Sequence, residues 1–385
     1  MEDWQNGGFG LYIHWPFCQA KCPYCDFNSH VSAQIDQNNW KQAYLSEIDR
    51  VSHETSGRIL NTVFFGGGTP SLMDPDLVDA ILTKVRASWP LANDFEVSLE
   101  ANPTSVEAGR FRGYRDAGVN RLSMGVQSLN DDDLRRLGRL HSVSDARNAF
   151  DIARDAFARV SFDLIYARQG QTEQQWRREL REALSMAVDH LSLYQLTIEQ
   201  GTAFGDRYER GQLRDLPSDD CAADMYFATQ EECEAAGMPA YEVSNHAKSG
   251  AESRHNLIYW RYGDYLGIGP GAHGRLTLNG TKYAVDTALS PALWLEKTLK
   301  TGNGDQNRSV LSGYDQAAEY LMMGLRITEG VDVARVSNLL GRKYVIESDY
   351  LAGEGFISHE DGRLSVTDKG RPLLNAIIRE LLPDA

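Results

Sequence analysis

The sequence lacks any uninterrupted apolar run approaching the ~20 residues that a membrane-spanning helix requires. Its first residues, Met1-Glu2-Asp3-Trp4-Gln5, lack the basic start and apolar stretch of a secretory signal. Basic side chains are too few to balance the acidic ones: 39 Lys and Arg against 54 Asp and Glu give a formal charge of −15. Such a field repels phosphate backbones and argues against nucleic acid as a general partner. A disulfide framework is missing too, because the five cysteines are odd in number and unevenly spaced. These absences predict a soluble, cytoplasmic protein with at most peripheral contact with a membrane.

What is present is globular. The chain has 385 residues, 42% apolar and 24% charged, enough for two or three domains and a large core without covalent staples. Short runs rich in Val, Ile, Leu, Phe and Tyr recur at Phe9–Trp15, Thr62–Phe65, Phe95–Glu100, Arg121–Val126, Val160–Tyr166 and His190–Ile198. Amphipathic stretches separate them: Asn39–Ser52, Asp74–Ser88, Ser105–Ala117, Ser142–Phe157 and Thr172–Ala187. Pro75 suits a first helical turn, and Ser144 or Asp145 is placed to cap the helix before Phe157. Six strand–helix units predict an α/β fold with a parallel sheet, doubly wound or curved into a partial barrel. Residues 1–205 then form the barrel and 206–300 a bridging segment. The polar stretch Thr301–Arg308 reads as a linker. Residues 301–385 form a smaller α+β module: helices at Tyr314–Leu325 and Val333–Leu340, a hairpin around Glu360-Asp361-Gly362, and a closing helix Pro372–Leu382.

The unusual residues fall just after the strands. Cys18, Cys22 and Cys25 follow the first, Gly66-Gly67-Gly68-Thr69-Pro70 the second, and Glu100-Ala101-Asn102-Pro103 the third. Gln127 ends the fourth and Asp163 lies in the fifth. In a barrel these ends converge on one mouth, where active sites form. Three thiolates at C-x3-C-x2-C can reach three corners of a 4Fe–4S cubane, leaving one iron open to a ligand. The competing reading is a Cys3His zinc site with His14 or His30 as fourth ligand, without the second knuckle that zinc pairs usually bring. Cys221 and Cys233 read as core or incidental thiols. Gly267-Ile268-Gly269-Pro270-Gly271-Ala272 fits the dinucleotide fingerprint formally, but its proline and late position suit a tight loop beside the barrel.

The cysteine motif, with aromatic Tyr24 before its last member, resembles the signature of the radical S-adenosylmethionine (SAM) superfamily. Gly66–Pro70 resembles that family's glycine motif, where absent Cβ atoms let backbone approach a ligand. Across essentially the whole chain the resemblance is to the branch holding oxygen-independent coproporphyrinogen III oxidase and the haem chaperones. It implies a partial (β/α)6 barrel with a winged-helix-like C-terminal domain, a 4Fe–4S cluster on Cys18, Cys22 and Cys25, and SAM. The SAM residues it implies are Tyr12, Tyr24, Gly67, Gly68, Thr69, Glu100, Gln127, Arg139 and Asp163. The acceptors Glu100, Gln127 and Asp163 suit hydroxyls or an amine, and Arg139 suits a carboxylate. Cluster chemistry in this superfamily splits SAM reductively to give a hydrogen-abstracting radical.

Two departures bear on the branch. The oxidases continue C-x3-C-x2-C-x-C, whereas Phe27 stands at that fourth position here, and only 17 residues precede Cys18. His255-Asn256-Leu257-Ile258-Tyr259-Trp260 resembles the HNxxYW motif of the haem chaperones, implying haem contact through His255, Tyr259 and Trp260. His273 is a second imidazole that could face the mouth. The resemblance therefore implies haem binding and transfer to acceptor proteins, among them respiratory membrane enzymes, with a protein reductant for the cluster. The alternative is a radical SAM oxidoreductase acting on coproporphyrinogen III or a related tetrapyrrole.

Overall fold

A computed structural model describes residues 2–32, 34–346 and 348–383. Six parallel strands follow one another in space as in sequence: β1 (Phe9–Trp15), β2 (Leu60–Gly67), β3 (Leu91–Ala101), β4 (Arg121–Gln127), β5 (Arg159–Tyr166) and β6 (His190–Gln195). Strands covered on both faces read as near-continuous apolar runs, as in β1, where only Tyr12 is less than buried. Helices Gln37–Glu54, Pro75–Ser88, Phe111–Ala117, Val143–Ala156 and Glu173–Met186 return the chain between strands. Their apolar faces join the main core with the outward side chains of the sheet. This is the partial (β/α)6 barrel expected from the alternation.

The sheet does not stop there. Asn245–Ala247 pairs antiparallel with β6, and Asp264–Ile268 pairs parallel with the free edge of β1. His273–Leu278, Thr281–Thr287 and Asp305–Val310 extend that edge antiparallel, completing an 11-stranded sheet. Stacked Trp40 and Trp294, 5.5 Å apart and both buried, join the first barrel helix to Pro291–Thr301 behind this extension. The C-terminal module has its own core around Leu321, Val336, Leu364 and Ile377, with a three-stranded sheet and helices Gly313–Gly324, Val333–Leu340 and Leu374–Leu381. Arg335 ties it to the N-terminal segment through Asp3 at 2.8 Å.

Three local expectations are corrected. Thr301–Arg308 is no linker: Gly302 caps a helix at φ 69°, and Asp305–Val310 is an edge strand whose exposed polar side chains belong on a solvated edge. Asp305, 2.8 Å from Arg50, pins it to the first barrel helix. The cap before Phe157 is Ser142, in a reciprocal capping box with Asp145, two residues earlier than Ser144. Ser105–Ala117 breaks into Ser105–Ala108 and Phe111–Ala117 around Gly109, the residue least suited to a helix interior after proline. In the would-be dinucleotide fingerprint, Gly267 and Ile268 finish a strand and the following element is another strand, not the helix that fingerprint needs.

Candidate functional site

The carboxyl ends of β1 to β5 bring the predicted residues to one mouth. The cysteine loop leaves β1 and is fixed at several points. Phe17–Cys18 pairs with His30–Val31, and the backbone N–H of Phe204, beyond β6, donates to the carbonyl of Pro23 at 2.8 Å. Tyr24 packs on Phe204 with ring centroids 6.4 Å apart. Each sulfur has its own polar neighbour. Thr69 Oγ1 donates to Cys18 Sγ at 3.4 Å and Arg139 Nη1 to Cys22 Sγ at 3.3 Å, while Ser29 Oγ lies 3.9 Å from Cys25 Sγ. Burial raises the Cys18 and Cys25 thiols above their ordinary range, so keeping them as thiolates calls for a compensating cation.

The zinc reading loses its fourth ligand. His14 is held by Tyr12 Oη on one ring nitrogen and the Asn28 carbonyl on the other, each at 3.0 Å. His30 is exposed and faces Asn28 Oδ1 at 3.1 Å. Among the described residues, no group of three or more His, Cys, Asp or Glu side chains could hold a metal ion around one point. Three separately supported sulfurs on one loop fit a cubane better, since its corners lie farther apart than the ligands of one ion.

Beyond the sulfurs, the second strand end supplies backbone. Gly67 has φ 111° and an added Cβ would lie 2.6 Å from the His14 ring; at Gly68 it would lie 2.7 Å from the Phe17 carbonyl. Only glycine fits either position. The Gly67 N–H donates to Glu100 Oε2 at 3.3 Å. Burial first, and the nearby Asp163 second, push the Glu100 carboxyl up to about 8. Burial likewise pushes Asp163 up to about 6, against hydrogen bonds from Ser192 and Ser123. Two desolvated carboxyls side by side make a place for a cation. Gln127 closes β4 with φ 71°, a left-handed conformation uncommon outside glycine.

Arg139 supplies the opposite charge. It donates through Nη2 to Asn102 Oδ1 and the Gly125 carbonyl at 2.5 and 2.8 Å, but its buried Nε has no partner. A buried guanidinium N–H left over is what a ligand carboxylate would satisfy. A zwitterion with an added positive centre therefore fits both ends of this mouth. Sequence reasoning missed Asn102, which joins Arg139 to Thr69 (Nδ2 to Oγ1, 3.2 Å), although its place after β3 was visible. Asn28 was also missed; its amide nitrogen donates to the carbonyls of Pro270 and Leu289, both at 2.9 Å.

The HNxxYW segment lies elsewhere. Helix Arg254–Trp260 packs under the opposite, amino-terminal end of the barrel, where the His255 N–H donates to Glu96 and Arg254 to the Asp94 carbonyl. From there the His255 ring points into the interior. One ring nitrogen is 2.7 Å from Thr62 Oγ1 and the other 2.6 Å from Tyr259 Oη, with Phe64 stacked at 5.1 Å. Burial pushes its basicity down to about 3. Both nitrogens of His255 are thus engaged, and only 1% of the residue is exposed. Tyr259 stays inside the barrel against Tyr265, and Trp260 has a buried Nε1 without a partner.

Residues 12–183 match the radical SAM superfamily and residues 311–373 the HemN C-terminal domain. The chain is 36% identical to heme chaperone HemW of Escherichia coli, over 97% of its length and 98% of that protein. It is 35% identical to heme chaperone HemW of Mycobacterium tuberculosis, over 97% and 95%. The mitochondrial radical S-adenosyl methionine domain-containing protein 1 of Danio rerio is 37% identical, over 97% and 86%. Coproporphyrinogen III oxidase (HemN) from Escherichia coli, described as a radical SAM enzyme, shares the fold with a TM-score of 0.81 at 22% identity, over 97% and 90%.

Proposed function

Because this chain belongs to the radical SAM superfamily, in the branch that contains the heme chaperones HemW, we propose that it binds haem and passes it to acceptor proteins. The observation that carries this reading is the end-to-end match to HemW proteins, joined to Phe27 where the oxidase motif has its fourth cysteine. Cys18, Cys22 and Cys25 would hold the 4Fe–4S cluster. Tyr12, Tyr24, Gly67, Gly68, Thr69, Glu100, Gln127, Arg139 and Asp163 would hold SAM. The superfamily's cluster, when bound, supplies an electron to SAM.

The protein's own part is positional. Glu100 and Asp163 face the cationic end of the ligand, Arg139 its carboxylate, and Gly67 and Gly68 let its amino group reach backbone. An electron donor would approach through a cavity of about 500 Å³ lined by Cys22, Cys25, Lys21, Arg135, Arg136 and Arg207. That cationic opening in a chain of charge −15 suits an acidic carrier. The bridging segment 206–300 would then cover both edges of the barrel, through Asn245–Ala247 on β6 and Asp264–Ile268 on β1, with the module 301–385 following it.

The intact SAM constellation favours a second reading, a radical enzyme acting on a tetrapyrrole. One anaerobic experiment separates them. Cluster-loaded protein is given SAM and reductant, then either haem with an apo-haemoprotein or coproporphyrinogen III. Haem appearing in the acceptor without decarboxylated product supports the chaperone; repeated turnover of coproporphyrinogen III refutes it. Cys22→Ser should remove the cluster's visible absorbance while leaving haem binding in place.

A further inference from the structure

Two of the three cysteine sulfurs accept from donors that a single side chain joins. Thr69 reaches Cys18 and Arg139 reaches Cys22. Asn102 lies between them: its Nδ2 donates to Thr69 Oγ1 at 3.2 Å, and its Oδ1 accepts from Arg139 Nη2 at 2.5 Å. The chemistry of the groups fixes the direction of this chain. A guanidinium holds donors only, so it must face the amide oxygen, and the amide nitrogen is left for the threonine. A hydroxyl has one proton. With Asn102 donating to it, Thr69 has no acceptor on the amide side and turns that proton onto the Cys18 sulfur. On the other arm, Asn102 and the Gly125 carbonyl occupy Nη2 and leave Nη1 aimed at Cys22.

Asn102 is itself firmly set. Its backbone N–H donates to Glu107 Oε2 at 2.8 Å and to Ser71 Oγ at 3.3 Å, and its carbonyl accepts from the Thr104 N–H at 2.9 Å. Glu107 and Ser71 are buried and bonded to each other, and Tyr114 Oη donates to the Ser71 carbonyl at 2.7 Å. The amide is therefore carried on a packed polar network rather than a free loop. Support of this kind keeps the groups around a metal site in constant orientation.

Hydrogen bonds to cluster sulfurs are among the quantities that set an iron–sulfur potential. Reduction adds negative charge that the thiolates share, so a donor on a sulfur stabilises the reduced form, and a cationic donor does so most. We propose that Asn102 is a positioning residue that orients both donors, Thr69 on Cys18 and Arg139 on Cys22, and so holds the cluster at a higher potential than the bare loop would. The inference rests on the assignment of the cluster to Cys18, Cys22 and Cys25.

The test is an anaerobic redox titration of cluster-loaded, SAM-free protein, read by the electron paramagnetic resonance signal of the reduced cluster. Wild-type protein in which no cluster assembles sinks the cluster assignment on which the proposal stands. Given a wild-type cluster, Asn102→Leu, similar in shape but without either hydrogen bond, should lower the reduced-to-oxidised ratio at fixed potential by roughly threefold or more, about 28 mV for one electron. Asn102→Ala, which adds no bulk, should do the same. A site merely loosened would admit water, which stabilises the extra charge and raises the potential, so the sign separates the two causes. Thr69→Val removes the donor to Cys18, and combined with Asn102→Leu it should shift the potential by less than the two single changes together. An unchanged or raised potential in the Asn102 variants overturns the proposal, as does full additivity with Thr69→Val. Loss of the cluster from both Asn102 variants overturns it too, because the clasp is to tune the cluster and not to hold it.

Discussion

On the proposed assignment of Glu100 to the SAM site, its raised carboxyl makes SAM binding a proton-linked event. With this group pushed up to about 8, roughly 0.9 of it is protonated at pH 7, and Asp163 near 6 contributes about 0.1 more. SAM brings an ammonium and a sulfonium, which favour the ionised carboxylates, so binding near pH 7 should expel about one proton. Deprotonating Glu100 first costs about 1.4 kcal/mol at pH 7, and that cost vanishes above pH 8. Affinity should therefore rise about fivefold from pH 7 to pH 8, by about another factor of two by pH 9, and level off beyond. Calorimetry in buffers of different ionisation enthalpy counts the protons directly. Glu100→Gln should weaken binding and reduce the count to about 0.1. The same shift fixes a stability trend in the SAM-free protein. Glu100's contribution is full below its ordinary range and is lost as pH rises through 8, so the melting temperature should fall over that window in wild type and less in Glu100→Gln. A proton count of zero for wild-type protein at pH 7 would refute the reasoning.

Glu96 is buried and accepts from Arg121 and Arg159 at 3.4 and 3.2 Å, so Glu96→Ala should cost about 3–5 kcal/mol in denaturant unfolding by stranding two guanidinium groups. His255→Ala removes a buried ring with two hydrogen bonds and should lower stability by about 2–4 kcal/mol in denaturant unfolding. Gly67→Ala should abolish SAM binding measured by calorimetry, with the cluster's absorbance retained, because the new methyl runs into His14.

The strands were legible because β1 to β5 are buried on both faces and so spell themselves out as apolar runs; β1 has the same bounds in sequence and structure. The mouth was legible because a parallel barrel puts every strand's last residues together, so Gly67, Glu100, Gln127 and Asp163 could be grouped without knowing a distance. Polar clasps were not. Asn28 and Asn102 are ordinary loop residues until partners 242 and 37 residues away are placed against them. The setting of the HNxxYW histidine was hidden for a related reason. Local sequence tells that His255, Tyr259 and an apolar Ile258 share a helix face, but not that the helix plugs the barrel from below. Composition misled once, at Asn303-Gly304-Asp305, where turn-forming residues precede an edge strand held by Arg50.

The pairing of Phe9–Trp15 with Asp264–Ile268 has a consequence for biosynthesis. β1 leaves the ribosome about 250 residues before the strand that covers its second edge, a gap of roughly 10–50 s at ordinary rates of elongation. Throughout that interval an apolar strand carries an unpaired edge, and the cysteine loop follows directly on it. The nascent chain therefore presents its most aggregation-prone edge and its three thiols together, before the barrel is closed. Cys18, Cys22 and Cys25 therefore stand without the barrel's cover throughout that window of translation.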